Sequence, residues 1–125
     1  MTSSRPYIMR ALYEWIVDNN CTPYVLVDAS TENVMVPEQY VKDDQIVLNI
    51  SPDAVVDLQI SNESMVFNGR FGGVATDVHV PIAAVIGIYA RENGQGMVFD
   101  PEEIAESPDE DPPPEPPRPF LKIVK

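Results

Sequence analysis

Val56-Asp57-Leu58-Gln59-Ile60, the turn Ser61-Asn62-Glu63-Ser64, the run Met65 to Phe71, the pair Gly72-Gly73 and the run Val74 to Val80 follow one another without a break. In the first segment Val56, Leu58 and Ile60 alternate with Asp57 and Gln59, the period of two that marks a half-buried strand. In the last, Val74, Thr76, Val78 and Val80 fall on one face and Ala75, Asp77 and His79 on the other, until Pro81 interrupts the pairing. Polar or glycine turns between such runs predict consecutive antiparallel strands. Outward from this centre the same signals recur. Tyr24 to Val27 reads as a strand and Val34-Met35-Val36 as a short one ended by Pro37. Gln45 to Ile50 follows a Lys42-Asp43-Asp44 turn. Val85 to Arg91 meets Met97-Val98-Phe99 across a Glu92-to-Gly96 hairpin. Short strands at regular spacing predict a small, strongly bent barrel over residues 22–99.

Upstream lies one helix, expected over residues 5–19. Ser4 is placed to cap it, Pro6 falls in the first turn where its missing N–H does no harm, and Asn19-Asn20 can close it. Beyond Arg5 at its start, its only charges, Arg10, Glu14 and Asp18, form a single stripe at i, i+4, i+8. The remaining circumference is apolar, wider than the arc of ~100° that one packed side of a small domain needs. That excess points to a helix-mediated homodimer, against the simpler alternative of a thick core contact. Tyr7, Ile8, Leu12, Tyr13, Trp15 and Ile16 are the residues expected to meet the second copy.

The chain has 125 residues, 44% hydrophobic, which accommodates one domain with a real core. A formal net charge of −12 disfavours phosphate-backbone binding, because such a surface repels nucleic acid. One cysteine, Cys21, excludes an internal disulfide, and with a single histidine, His79, it leaves no zinc shell. The first five residues are polar, with no apolar leader segment, and no run reaches the ~20 apolar residues of a membrane span. A cytoplasmic protein without membrane or nucleic-acid partners, and without a cofactor, is the expectation.

Composition changes near residue 100. Residues 100–119 carry eight prolines and eight acidic residues with one large apolar side chain, Ile104. Such a segment cannot bury enough surface to offset its ordering entropy, and it reads as a disordered, semi-stiff linker. Hydrophobicity then returns in Phe120, Leu121, Lys122, Ile123, Val124 and Lys125. These six read as a docking peptide for a second protein, or alternatively as a strand returning to the domain. The body is thus residues 1–99, the linker 100–119 and the docking peptide 120–125.

Catalytic chemistry finds little footing. Gly69, Gly72 and Gly73 lack the spacing of a phosphate loop. A hydrolase would have to assemble Ser51, His79 and Asp77, with His79 on an alternating strand. The segment Phe67-Asn68-Gly69-Arg70-Phe71-Gly72-Gly73 says more. Glycines in a strand admit a second backbone, and Arg70 is one of five basic residues in the body, so a groove for an extended peptide is one reading. In the other, Phe67 and Phe71 are core and the glycines mark a tight corner; composition alone favours this one.

Six stretches, taken in order, resemble the SspB family of specificity-enhancing factors for the ClpXP protease. They are Arg5-Pro6-Tyr7, Tyr13-Glu14-Trp15, Gln45 to Ile50, Arg70-Phe71-Gly72-Gly73, Tyr89-Ala90-Arg91-Glu92-Asn93-Gly94, and Arg118 to Lys125. The resemblance implies an Sm-like β-barrel with the N-terminal helix at a dimer interface. It implies recognition of ssrA-tagged peptides, and docking of Leu121, Lys122, Ile123, Val124 and Lys125 on the N-terminal zinc-binding domain of ClpX. The tag groove would then draw on Ser51, Ala54 and Val55 together with Phe67, Asn68, Gly69, Arg70, Phe71, Gly72 and Gly73. An Sm-like barrel could instead bind RNA, although the body carries 12 acidic and 5 basic residues.

Overall fold

The computed structural model describes residues 3–99; the linker and docking peptide of the sequence reading lie outside them. Helix α1 spans Arg5–Asp18. It is followed by β1 (Pro23–Asp28), β2 (Gln45–Asn49), β3 (Val55–Ile60), β4 (Ser64–Phe71), β5 (Val74–Pro81), β6 (Val85–Ala90) and β7 (Gly96–Val98). The fold is mainly β with one N-terminal helix, as the strand periodicity predicts. The strands form two antiparallel sheets, ordered β2-β1-β6-β7 and β3-β4-β5.

Asn19-Asn20 closes α1 by a complete set of backbone bonds. Asn20 takes a positive φ of 61°, its N–H reaches Val17 O at 3.0 Å, and Cys21 N–H reaches Ile16 O at 3.0 Å. Asparagine tolerates this left-handed position better than most residues, and the two bonds satisfy carbonyls the helix leaves open. At the other end Ser4 does not cap: its backbone is already helical and its side chain makes no capping bond. Ser3 Oγ accepts the Arg5 N–H instead, at 3.1 Å.

The core lies between the sheets and under the helix. Val25 and Val27 of β1, Ile46 and Leu48 of β2, Met65 and Phe67 of β4, Val78 and Val80 of β5, and Val85 and Ile88 of β6 are all buried with Met9 and Ile16. β1, β2, β4 and the second half of β5 bury alternate residues, which fixes register there, because a one-residue slip would turn the apolar set outward.

Three local expectations change. Val34-Met35-Val36 is not a strand of its own; it contributes one bridge, Met35 to His79. The second is in β3, where the alternation breaks: Val56 is 58% exposed although its pattern put it with Leu58 and Ile60. A bulge between Val56 and Gln59, with Asp57 at φ 59°, sets two residues opposite one on β4 and turns Val56 to the outer face. Third, Ile16 is 2% exposed inside its own protomer, so it drops out of the set that could meet a second copy.

Candidate functional site

The outer face of the three-stranded sheet forms a grid that the registers define. Arg70 stands opposite Ala75; Asn68 lies between Val56 and Asp77; Val66 lies between Gln59 and His79, with Met35 beyond. Alternation along β4 sends Met65, Phe67, Gly69 and Phe71 inward and leaves Val66, Asn68 and Arg70 outward.

At the Arg70 end is a cleft of about 560 Å³. Pro52, Asp53, Ala54, Val55 and Val56 form one wall, Asn68, Gly69 and Arg70 the floor, and Ala75 the far side. The wall is held by a turn in which Ser51 O accepts the N–H groups of Ala54 and Val55, at 2.9 and 3.2 Å. Gly69 faces inward, where a Cβ would stand 3.3 Å from the Phe67 ring and 3.5 Å from that of Phe71, so the two rings close the floor from beneath.

Arg70 is exposed and, among the described residues, makes no ion pair or side-chain hydrogen bond. The one ion pair among them joins Arg91 to Glu92 at 3.4 Å. The other arginines are engaged. Arg5 is buried, donates to Val85 O at 3.0 Å and lies over the Phe99 ring at 4.8 Å. Arg10 donates to Ile60 O at 2.7 Å and to Asn62 Oδ1 at 3.1 Å. The cleft thus carries a guanidinium that makes no ion pair among the described residues, beside a wall of Pro52, Ala54, Val55 and Val56 that also holds Asp53.

Of the ten residues expected in a tag groove, the cleft gathers Ala54, Val55, Asn68, Gly69 and Arg70. Ser51 acts beneath it through its backbone. Phe67, 4% exposed, belongs to the core and its ring only edges a neighbouring cavity. Phe71 is turned toward Tyr40, ring centroids 5.6 Å apart. Gly72 and Gly73 form the β4–β5 hairpin turn at φ 61° and 83°, the left-handed values such a two-residue turn requires. For Phe67, Gly72 and Gly73, then, the core-and-corner reading is the one the structure bears out. Val56, Asp53 and Ala75 were missed; only the bulge at Asp57 brings Val56 outward, and no sequence rule placed it.

The hydrolase alternative finds no assembly. His79 Nδ1 lies 3.1 Å from Asn33 O and must donate to that carbonyl. Asp77 Oδ1 accepts from Asn68 Nδ2 at 2.8 Å. No hydrogen bond links Ser51, His79 and Asp77 among the described residues. Nor do those residues gather three or more metal-ligating side chains, and no helix among them is long and apolar enough to cross a membrane.

On helix α1, Tyr7 and Trp15 are 51% and 46% exposed with exposed Ala11 between them, an i, i+4, i+8 stripe. Ile8, Leu12 and Tyr13 are half-buried on its flank.

The described residues thus form a helix laid on two short antiparallel sheets, with an open cleft whose floor carries an exposed guanidinium. The model of the family "SspB: Stringent starvation protein B" matches residues 3–125. The chain is also similar to a protein named "Stringent starvation protein B homolog" from Haemophilus influenzae, 49% identical over 120 residues, which cover 96% of this chain and 80% of that relative. This chain belongs to the SspB family.

Proposed function

We propose that the chain is a homodimeric, cytoplasmic adaptor that binds ssrA-tagged polypeptides in the outer-face cleft and passes them to the ClpX ATPase of ClpXP. The observation that carries this reading is Arg70, an arginine without partners among the described residues, standing at a cleft with a largely apolar wall in a body that otherwise engages its arginines. An extended peptide with an acidic residue satisfies the cation while its small side chains lie on Ala54, Val56 and Ala75. Helix α1 pairs with its copy through Tyr7, Trp15 and the half-buried flank of Ile8, Leu12 and Tyr13.

Delivery is assigned to the C-terminal residues on sequence grounds. The acidic, proline-rich residues 100–119 act as a spacer, and Leu121 to Lys125 dock on the zinc-binding domain of ClpX. Joining two weak contacts by a linker raises effective concentration, strengthening overall binding by about 10²- to 10⁴-fold without chemistry at either end. Two experiments test the two halves. Fluorescence anisotropy of a labelled ssrA peptide should show saturable binding that weakens in Arg70→Ala; equal binding by both proteins sinks the cleft assignment. Deleting residues 120–125 should leave that binding intact and abolish stimulated ClpXP degradation at low substrate; undiminished delivery sinks the tether.

A further inference from the structure

Beside the cleft, sharing Asn68 with it, lies a second cavity of about 360 Å³ that the function just described does not use. Its apolar surface comes from Met35, which is 63% exposed, from Val66 and from the edge of Phe67. Asp57 and Asp77 stand on its rim with Gln59 and His79. Among the described residues neither carboxylate has a cation within ion-pair distance. Asp57 is aimed there by the bulge of β3, and Asp77 is oriented by its bond from Asn68. His79, the nearest titratable neighbour, already directs Nδ1 to Asn33 O.

We infer that this cavity is a second subsite for the same extended peptide, and that it takes a lysine or arginine side chain. The inference rests on reading the Arg70 cleft as a peptide site. Continuity and charge both favour this occupant. Val66, Asn68 and Arg70 share one face of β4, so an extended chain laid along it reaches from one cavity to the other in two to four residues, about 7–13 Å. A long aliphatic stem covers Met35 and Val66 while the cationic head meets Asp77 and Asp57, the arrangement amphipathic side chains adopt at apolar surfaces with a polar rim. A purely apolar side chain would leave both carboxylates unpaired, and an acidic one would be repelled. The two ends therefore differ: Arg70 with Asp53 on the nearby wall at one, and Asp57 and Asp77 with no cation lining the cavity at the other. The groove selects peptides whose acidic residue is followed or preceded at short range by a basic one.

The test is a scan of the labelled ssrA peptide in which each position is replaced in turn by lysine and by norleucine, which has a similar stem and no charge. The full chain and its Asp77→Asn variant are titrated in parallel. The expected result is one or two neighbouring positions, two to four residues from the acidic residue that Arg70 reads, where lysine binds about three- to fivefold tighter than norleucine. That preference should vanish in Asp77→Asn, whose melting temperature serves as the folding control. A lysine preference spread evenly over all positions reflects only the chain's net charge and overturns the subsite, as does no preference at any position. In both cases binding of the unsubstituted peptide persists and the cleft reading stands. If the unsubstituted peptide fails to bind at all, the cleft reading falls and the subsite falls with it.

Discussion

The helix stripe and the outer face of the three-stranded sheet are both exposed, yet they differ in chemistry. On α1, Tyr7, Ala11 and Trp15 form an exposed, largely apolar ridge; at its Tyr7 end Arg10 lies over the ring at 4.7 Å while bonded to Ile60 O, and Asn62 Nδ2 donates to the Tyr7 hydroxyl at 3.2 Å. On the sheet, apolar patches at Val56 and Met35 are separated by Asn68, Asp77 and Arg70. A largely apolar ridge gains from permanent burial against a second copy. A face that mixes small apolar patches with oriented polar groups favours reversible, selective capture, because its polar groups must be matched each time. On the proposed function, the first surface serves assembly and the second recognition.

That division can be broken surface by surface. Trp15→Glu should act most strongly, moving the chain from dimer to monomer in light scattering at micromolar concentration, with dimerisation weakened by about a hundredfold or more. Affinity of each protomer for the tag should stay within about twofold; a large loss would merge the two surfaces into one. Next, Arg70→Ala should weaken ssrA-peptide binding by about tenfold, the worth of a charge-assisted contact, while the dimer and the melting temperature stay unchanged. Gly73→Ala comes third. At φ 83° a side chain costs about 1–2 kcal/mol of stability although nothing lies within 4 Å of its Cβ, which a denaturant titration would detect.

The smallest effect concerns neither surface. Glu92 accepts the Thr22 N–H and Oγ1–H, each at 2.8 Å, and these bonds hold its carboxyl below its ordinary 4.5. A carboxyl lowered in the folded state stabilises above its ordinary pKa and loses that contribution as pH falls through the lowered value. Glu92→Gln should therefore melt slightly below the parent chain at pH 7 and converge with it as pH falls through the lowered value. A gap that widened toward acid would reverse the assignment.

The strands were legible because burial alternates so regularly in β1, β2 and the second half of β5, although Val74 at the start of β5 is exposed. Val78 and Val80 point inward and Asp77 and His79 outward, as their chemistry dictates. The helix end was legible because two asparagines in a row suit a left-handed cap. The groove was half legible. Gly69 and Arg70 signalled it, but Gly72 and Gly73 signalled a turn in the same letters, and glycine alone cannot distinguish the two uses. Val56 was lost to the bulge at Asp57, since a positive φ at aspartate leaves no mark in a hydrophobic pattern. Ile16 was misassigned because a helix apolar on most sides does not declare which side faces its own core.

Recognition is here assigned to the outer face of β3, β4 and β5. Backbone amide shifts of the isotopically labelled chain, recorded during titration with ssrA peptide, test it most directly. The expected result is a set of large shifts at Ala54, Val56, Asn68, Gly69, Arg70 and Ala75, with Tyr7 to Trp15 unmoved. Shifts concentrated on helix α1, with the sheet's outer face silent, would contradict it.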